Sequence, residues 1–147
     1  MSEAAALQLC TFSVAGHQLG IAVAKVQEIL RAQPLTRVPL APRSVSGLMN
    51  LRGQIAVVLD LRRRLELPER DADAPVFHVV LGSEGGVVSL LVDAVGDVIE
   101  VSEQSFEPPP ETLRGAARAL LRGAYKLERG LVLALDTQKA IGVRAGA

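Results

Sequence analysis

The chain has no tryptophan, one tyrosine and three phenylalanines in 147 residues. It therefore lacks the aromatic platform on which single-stranded nucleic acid stacks. A single cysteine excludes an internal disulfide. Cys10 alternates in phase with Phe12 and Val14, the pattern of a small buried hydrophobe rather than a reactive thiol. The only histidines, His17 and His78, stand far apart and give no ligand pair at zinc spacing, so no metal and no cofactor are implied. No serine or acid stands near them at a spacing that suggests a triad. His17 falls in an expected hairpin turn, and His78 reads as a strand residue with a polar neighbour or a partner in the core.

Charge of one sign is also missing. Sixteen basic and sixteen acidic residues cancel, which leaves no global field to draw the chain onto a phosphate backbone or an anionic bilayer. Nucleic acid and direct membrane insertion are therefore not expected as modes of binding. Apolar runs stay short of the ~18 residues that suggest a span. The opening "MSEAAALQLCTFSV" has no basic segment before its apolar residues, unlike a secretory leader. A cytoplasmic location is expected. "LGSEGGVV" (81–88) is glycine-rich but lacks the phosphate-loop and dinucleotide spacings, and reads as a hairpin turn.

Present in quantity is apolar sequence, 49% of the chain. Short Val-, Leu- and Ile-rich runs, "LCTFSV", "LGIAV", "IAVVLDL", "VFHVVL", "GVVSLLV" and "GLVLALD", are separated by Gly, Pro or charged turns. That pattern predicts a mostly β protein. Helix is expected only at "LRRRLEL" before Pro68, in "ETLRGAARALLRG" (111–123), and as a final turn at "TQKAI". Within 111–123, Arg114, Arg118 and Arg122 recur every four residues and would share one helical face opposite Leu113, Leu120 and Leu121.

The chain also repeats itself. "VAKVQEIL" (23–30) aligns on "VDAVGDVI" (92–99), matching Val26 with Val95, Glu28 with Asp97 and Ile29 with Val98. The same shift carries Pro39 onto Pro108. "GLMNLRGQIAVVLD" (47–60) then aligns on "GAYKLERGLVLALD" (123–136), pairing Gly47 with Gly123 and Asp60 with Asp136. Each half runs hairpin, acidic crest, proline loop, glycine turn, apolar strand, aspartate. A unit of about five short strands is too small to stay open, so each should curl into a barrel and the two should pack together. The expected organisation is a single domain, 1–147, with halves at 8–70 and 75–143 meeting in "LPERDADAP".

Two roles suit the paired acids Glu28 and Asp97. They could serve as general acid and base if they converged in one cleft. Flanked by Val26 and Ile29, or by Val95 and Val98, they also suit the rim of a binding groove.

"FSVAGHQLGIAVAKVQEIL", "VSGLMNLRGQIAVVLDLRRRL" and "VSLLVDAVGDVIEV", in this order, resemble the CheW family of chemotaxis adaptors over about residues 8–143. The most specific element is G-x-x-N-L-R-G at 47–53, followed by a strand and D-L-R at 60–62. The resemblance implies two pseudo-symmetric five-stranded SH3-like barrels packed together, with short helical segments. It implies a non-catalytic scaffold that couples the cytoplasmic tip of methyl-accepting chemoreceptors to the regulatory domain of a CheA-type histidine kinase. An adaptor of a non-flagellar chemosensory pathway, with weakened kinase binding, is a variant of that reading. A small nucleic-acid-binding double barrel is the alternative from another class. By the same resemblance, Val26, Glu28, Ile29, Val95 and Val98 would line the receptor groove, and Gly47, Asn50, Arg52, Gly53 and Asp60 would form the signature turn and partner surface. One departure is Val57, where the family usually carries proline, which is expected to reshape an exposed edge.

Overall fold

The computed structural model describes residues 6–142 except 84 and 85. These residues form eleven strands: β1 (Ala6–Val14), β2 (His17–Ala22), β3 (Val26–Arg31), β4 (Val45–Leu51), β5 (Gln54–Asp60), β6 (Phe77–Ser83), β7 (Gly86–Val92), β8 (Ala94–Ser102), β9 (Phe106–Glu107), β10 (Leu121–Leu127) and β11 (Gly130–Leu135). Three short α-helices, α1 (Leu61–Arg64), α2 (Gly115–Ala119) and α3 (Thr137–Ile141), and two 3-10 turns, Val23–Lys25 and Glu103–Ser105, complete the described elements. Two of the hairpin tips carry paired positive φ values, +50° and +84° at Ala15–Gly16 and +52° and +86° at Arg52–Gly53. That is the two-residue turn whose twist matches antiparallel strands. The "LGSEGGVV" turn joins β6 to β7 through Ser83 paired with Gly86, and its tip lies outside the described residues.

One sheet has the order β8-β1-β2-β11-β10-β9 and the other β3-β6-β7-β5-β4. Both close on themselves. In the first, β8 and β9 are separated only by a 3-10 turn at Glu103–Ser105, so one broken strand forms both ends of the order. In the second, the chain leaving β3 returns at Thr36 to bridge Leu48 of β4. Two five-stranded barrels result, with the sixth, two-residue strand of the first sheet serving as the continuation of β8.

The barrels do not follow the two halves expected at 8–70 and 75–143. The opening hairpin β1–β2 sits among the strands of the C-terminal half, and β6–β7 sits among those of the N-terminal half. Each half lends its first hairpin to the other. The exchange is fixed by parallel pairs, Leu19 with Leu133 in one barrel and Val57 with Val88 in the other.

The duplication itself is exact in register. A shift of 69 residues carries the pairs Val95–Phe12 and Val98–Cys10 back from Val26–Leu81 and Ile29–Val79, bulge included. A shift of 76 carries Val45–Leu59 and Gly47–Val58 onto Leu121–Leu135 and Gly123–Ala134, again with the same irregularity. The capping bonds repeat too: Asp60 N–H donates to Ser44 at 2.8 Å, and Asp136 N–H to Leu120 at 2.8 Å.

Gly47 and Gly123 were expected in turns and instead occupy buried β-bulges within β4 and β10. Each lets a neighbouring strand pass close. A Cβ on Gly47 would lie 2.6 Å from the Thr36 carbonyl oxygen, and one on Gly123 2.6 Å from that of Glu107. Between the barrels runs one apolar cluster containing Phe12, Leu19 and Ile21 of the lent hairpin, Val79, Leu81 and Leu90 of the other, and Leu59, Leu61, Leu133 and Leu135.

The helices correct the sequence reading in two places. α1 stops before Pro68 has any effect, because Glu66 takes φ +57° while its N–H donates to Arg63 O and that of Leu67 to Arg62 O, the Schellman closure of a helix end. The segment 111–123 is helical only at Gly115–Ala119, with Arg114 as its N-cap and Arg122 in β10. Arg114, Arg118 and Arg122 therefore share no helical face. Gly115 at φ +63° and the bulge at Gly123 leave too little regular backbone between them. The final turn forms as expected, with the Asp136 side chain accepting from Lys139 N–H.

Candidate functional site

β3 is a terminal strand of its sheet, so its alternation is displayed on two faces: Val26, Glu28 and Leu30 are half-buried while Gln27, Ile29 and Arg31 are exposed. β8 holds the equivalent place in the other barrel. Val26 and Val95 both pack against the central cluster, so these two expected groove residues converge on the same core from opposite sheets. Ile29 and Val98 do the reverse, being 38% and 56% exposed. They are the apolar side chains available to a partner on the two crests.

The signature turn folds as its residue types require. Asn50 Oδ1 accepts from Gly53 N–H at 2.8 Å, an Asx closure of the β4–β5 tip. Gly53 takes the second left-handed position, and Leu51 packs inward against the Met49–Val58 cluster. Arg52 is thereby turned outward, and its guanidinium reaches back to the first crest. Nη1 lies 3.2 Å from Glu28 Oε1, and Nη2 bonds Glu28 Oε2. The sequence reading assigned these residues to separate surfaces. The structure joins them in one ion-paired corner. The hydrogen bond from Arg52 holds the Glu28 carboxyl below its ordinary range.

Glu28 is thus already engaged by a cation, and Asp97, the other half of the proposed acid pair, belongs to a different sheet. Asp97 contributes its backbone carbonyl to Thr11 Oγ1 at 2.6 Å. It lines a cleft of about 400 Å³ with Ile99, Leu127, Arg129 and Leu131. This cleft corresponds to the Arg52 corner of the other barrel, with Glu128 standing where the first half has Arg52.

Two members of the expected partner surface are not on a surface. Gly47 is buried, and Asp60 is 3% exposed. Asp60 caps α1 through Arg62 N–H at 3.0 Å and holds the Arg70 guanidinium through bonds of 2.8 and 3.2 Å. Arg70 also binds Asp93, and Arg62 binds Asp93 at 2.6 Å. Asp93 in turn accepts from Ala15 N–H at 2.7 Å. Two carboxylates and two guanidiniums thereby close a network joining α1, the connecting segment 65–76, the β7–β8 corner and the β1–β2 turn. Burial pushes the Asp93 carboxyl up, but the bonds from Arg62, Ala15 and Arg70 outweigh it and hold it below its ordinary value. Sequence reasoning missed this network. Its one signal was the density of charge around the D-L-R motif.

Val57 does not form an exposed edge. β5 lies between β7 and β4, and Val57 is half-buried against the central cluster. Cys10 is buried at 8% exposure, and burial pushes its thiol up. His78 is the satisfied core histidine anticipated as one reading: Nε2 accepts from Gln33 N–H at 3.3 Å while Nδ1 meets Ser89 Oγ at 2.8 Å. With Nε2 accepting, Nδ1 carries the proton and donates to the serine. No helix among the described residues is long and apolar enough to cross a membrane.

Against known proteins the resemblances agree. The chain is 31% identical over 131 residues to the chemotaxis protein CheW of Rhizobium meliloti (strain 1021), covering 88% of this chain and 83% of that one. It is 32% identical over 133 residues to protein FrzA of Myxococcus xanthus, covering 90% and 78%. The crystal structure of the scaffolding protein TtCheW from Thermoanaerobacter tengcongensis superposes with a TM-score of 0.85 at 27% identity, covering 96% of each chain. A family model for the CheW-like domain matches residues 8–144, across both barrels and the exchanged hairpins, and the chain belongs to that family.

Proposed function

We propose that this protein is a non-catalytic adaptor that couples the cytoplasmic tips of methyl-accepting chemoreceptors to the regulatory domain of a CheA-type histidine kinase. It would work in the cytoplasm, held at receptor arrays through its partners. The observation that carries the reading is the displayed crest. An edge strand offers Ile29 to solvent beside a carboxylate, Glu28, whose position the signature arginine fixes. Apolar anchors with oriented charges at the rim suit the docking of an amphipathic helix, where burial supplies affinity and charge sets register.

In this reading Val26 and Val95 form the floor of the receptor groove, Ile29 and Val98 its anchors, and Glu28 its rim. Asn50 and Gly53 hold Arg52 in place, while Gly47 and Asp60 act from below by shaping β4 and capping α1. Catalysis by Glu28 and Asp97 is disfavoured, because one carboxylate is neutralised by Arg52 and the other stands on a separate sheet.

Co-sedimentation tests the proposal, using membranes or assembled fragments bearing the receptor tip together with purified kinase. Added adaptor should bring kinase into the receptor pellet in proportion to its own binding. Kinase recruitment that is the same with and without the adaptor would sink the reading.

A further inference from the structure

We infer that the Val38–Ala41 turn is a separate docking element, with Leu40 as its anchor, for a protein surface that presents an apolar hollow bounded by carboxylates. Leu40 is fully exposed, at 104% of its reference area, and carries φ +65°. The left-handed region disfavours residues with a Cβ and is usually given to glycine or asparagine. A branched apolar residue held there and offered entirely to water is disfavoured twice over, by its backbone and by its solvation.

The turn is built to hold that conformation. Ala41 N–H donates to Val38 O at 3.3 Å, with Pro39 and Leu40 as the central pair, the arrangement of a turn with proline second and positive φ third. Pro42 follows, and its carbonyl accepts from Val45 N–H at 2.9 Å. Val38, 38% exposed, lies on the same turn. A rigid turn presents its anchor with little ordering left to do on binding.

Charge decides the character of the partner. A cleft of about 400 Å³ beside the turn is lined by Arg37, Arg43 and Arg63, with Ser46 and the turn itself. Glu69 is bound by both Arg43, at 2.7 Å, and Arg63, at 3.0 Å, while Arg37 has no ion pair among the described residues. The rim therefore keeps excess positive charge around an apolar tip, and its complement is acidic. The counterpart loop after β9 has no such tip. There Arg118 Nη1 draws in the carbonyls of Pro109, Pro110 and Leu113, at 3.3, 2.9 and 3.4 Å. The duplicated loops have diverged, one tied to its own barrel and the other displayed.

The test places p-benzoylphenylalanine at Val38 of the full chain, leaving Leu40 intact, with photolysis in the native host and mapping of the adduct by mass spectrometry. One protein adduct is expected, on a surface with Asp or Glu around apolar residues. Its yield should fall about tenfold with Leu40→Asn, as for an interface hot spot, and comparably with Arg37→Glu. Replacing the mapped carboxylate by lysine should restore it in Arg37→Glu. Leu40→Asn should melt no lower than the parent, since asparagine accepts the left-handed conformation. Adducts only to lipid, only to a second copy of the chain, or no more abundant than from a probe at exposed Arg129 would overturn the inference. So would a protein adduct indifferent to both substitutions.

Discussion

Arg52, at the β4–β5 turn, and Glu28, on β3 of the same barrel, are joined by a forked ion pair that the signature turn is shaped to make. An ammonium cannot reproduce that fork. Arg52→Lys should therefore let the Glu28 carboxyl titrate closer to its ordinary value, readable by NMR of its side-chain carbon. Glu28 is held low in the folded state, so the pair is intact at neutral pH and is lost as pH falls through that depressed value. Arg52 is largely exposed, so melting should stay close to the parent while binding of one partner falls selectively. Unchanged Glu28 titration in the variant would refute the pairing, and unchanged binding would refute its role in docking.

Ile29→Asp and Val98→Asp should each abolish receptor binding and leave the fold intact. Both side chains face water in the free protein, so stability should change by about 0.5 kcal/mol or less. On docking, the new carboxylate would lose water without a compensating partner. A folded Val98→Asp protein that pulls down receptor tips at parental levels would remove β8 from the groove.

Asp60→Ala removes a helix cap and leaves Arg70 with half its anchorage, a loss of about 2–4 kcal/mol measured by denaturant unfolding. Asp93→Asn tests the pH behaviour of the same network. Asp93 is held low when folded, so its contribution is present above the ordinary carboxylate range and disappears as pH falls through its depressed value. The variant should be less stable at neutral pH and show a flatter acid limb. An acid limb identical to the parent would show that Asp93 is not the group responsible.

His78 acts on the acid side at milder pH. Burial pushes its imidazole below the ordinary value of 6.5, so the folded state favours the neutral ring. Stability should begin to fall as pH drops below about 6.5 and continue to fall until the folded-state value is passed. Protonation at Nε2 also ends its role as acceptor for Gln33 N–H, which should appear as faster amide exchange at Gln33. Replacing Ser89 by Ala should cost about 1–3 kcal/mol, because it strips the buried Nδ1–H of its partner.

Gly47→Ala and Gly123→Ala should each destabilise by about 2–4 kcal/mol, since the added methyl meets backbone rather than a yielding side chain at one side of each bulge. Gly53→Ala, where a Cβ would meet nothing within 4 Å, should cost only the strain of its positive φ. Equal losses at all three would show that space at the bulges is not the determinant.

The strands and the duplication were legible because alternation and the Gly and Asp landmarks recur at fixed spacing, and the paired registers keep that spacing residue by residue. Which barrel each opening hairpin joins was not legible. "LCTFSV" and "VFHVVL" present equivalent apolar faces, and only the tertiary pairing of their hairpins with β11 or with β5 distinguishes them. The functional corner was half legible. Glu28 and Arg52 were each singled out, but an ion pair across 24 residues depends on barrel closure, which no local pattern encodes. The arginine periodicity at 114–122 misled because a four-residue recurrence says nothing about the glycines that interrupt the helix beneath it. Leu40 gave no sequence signal apart from its prolines, since its unusual backbone is visible only in coordinates.

The exchanged hairpins also constrain how the protein can be made. A chain emerging from the ribosome has β1 and β2 first, yet β2 pairs across the barrel with β11, Leu19 meeting Leu133. The barrel of the other half closes only when β6 and β7 have followed the connecting segment out. During synthesis the β1–β2 hairpin therefore waits with an open apolar face until β11 has been made. Long-range closure of this kind slows folding and prolongs exposure to aggregation. Splitting the gene between the halves would leave each fragment with a hairpin suited to the other, so the two fragments should regain structure only when mixed, as a complemented pair.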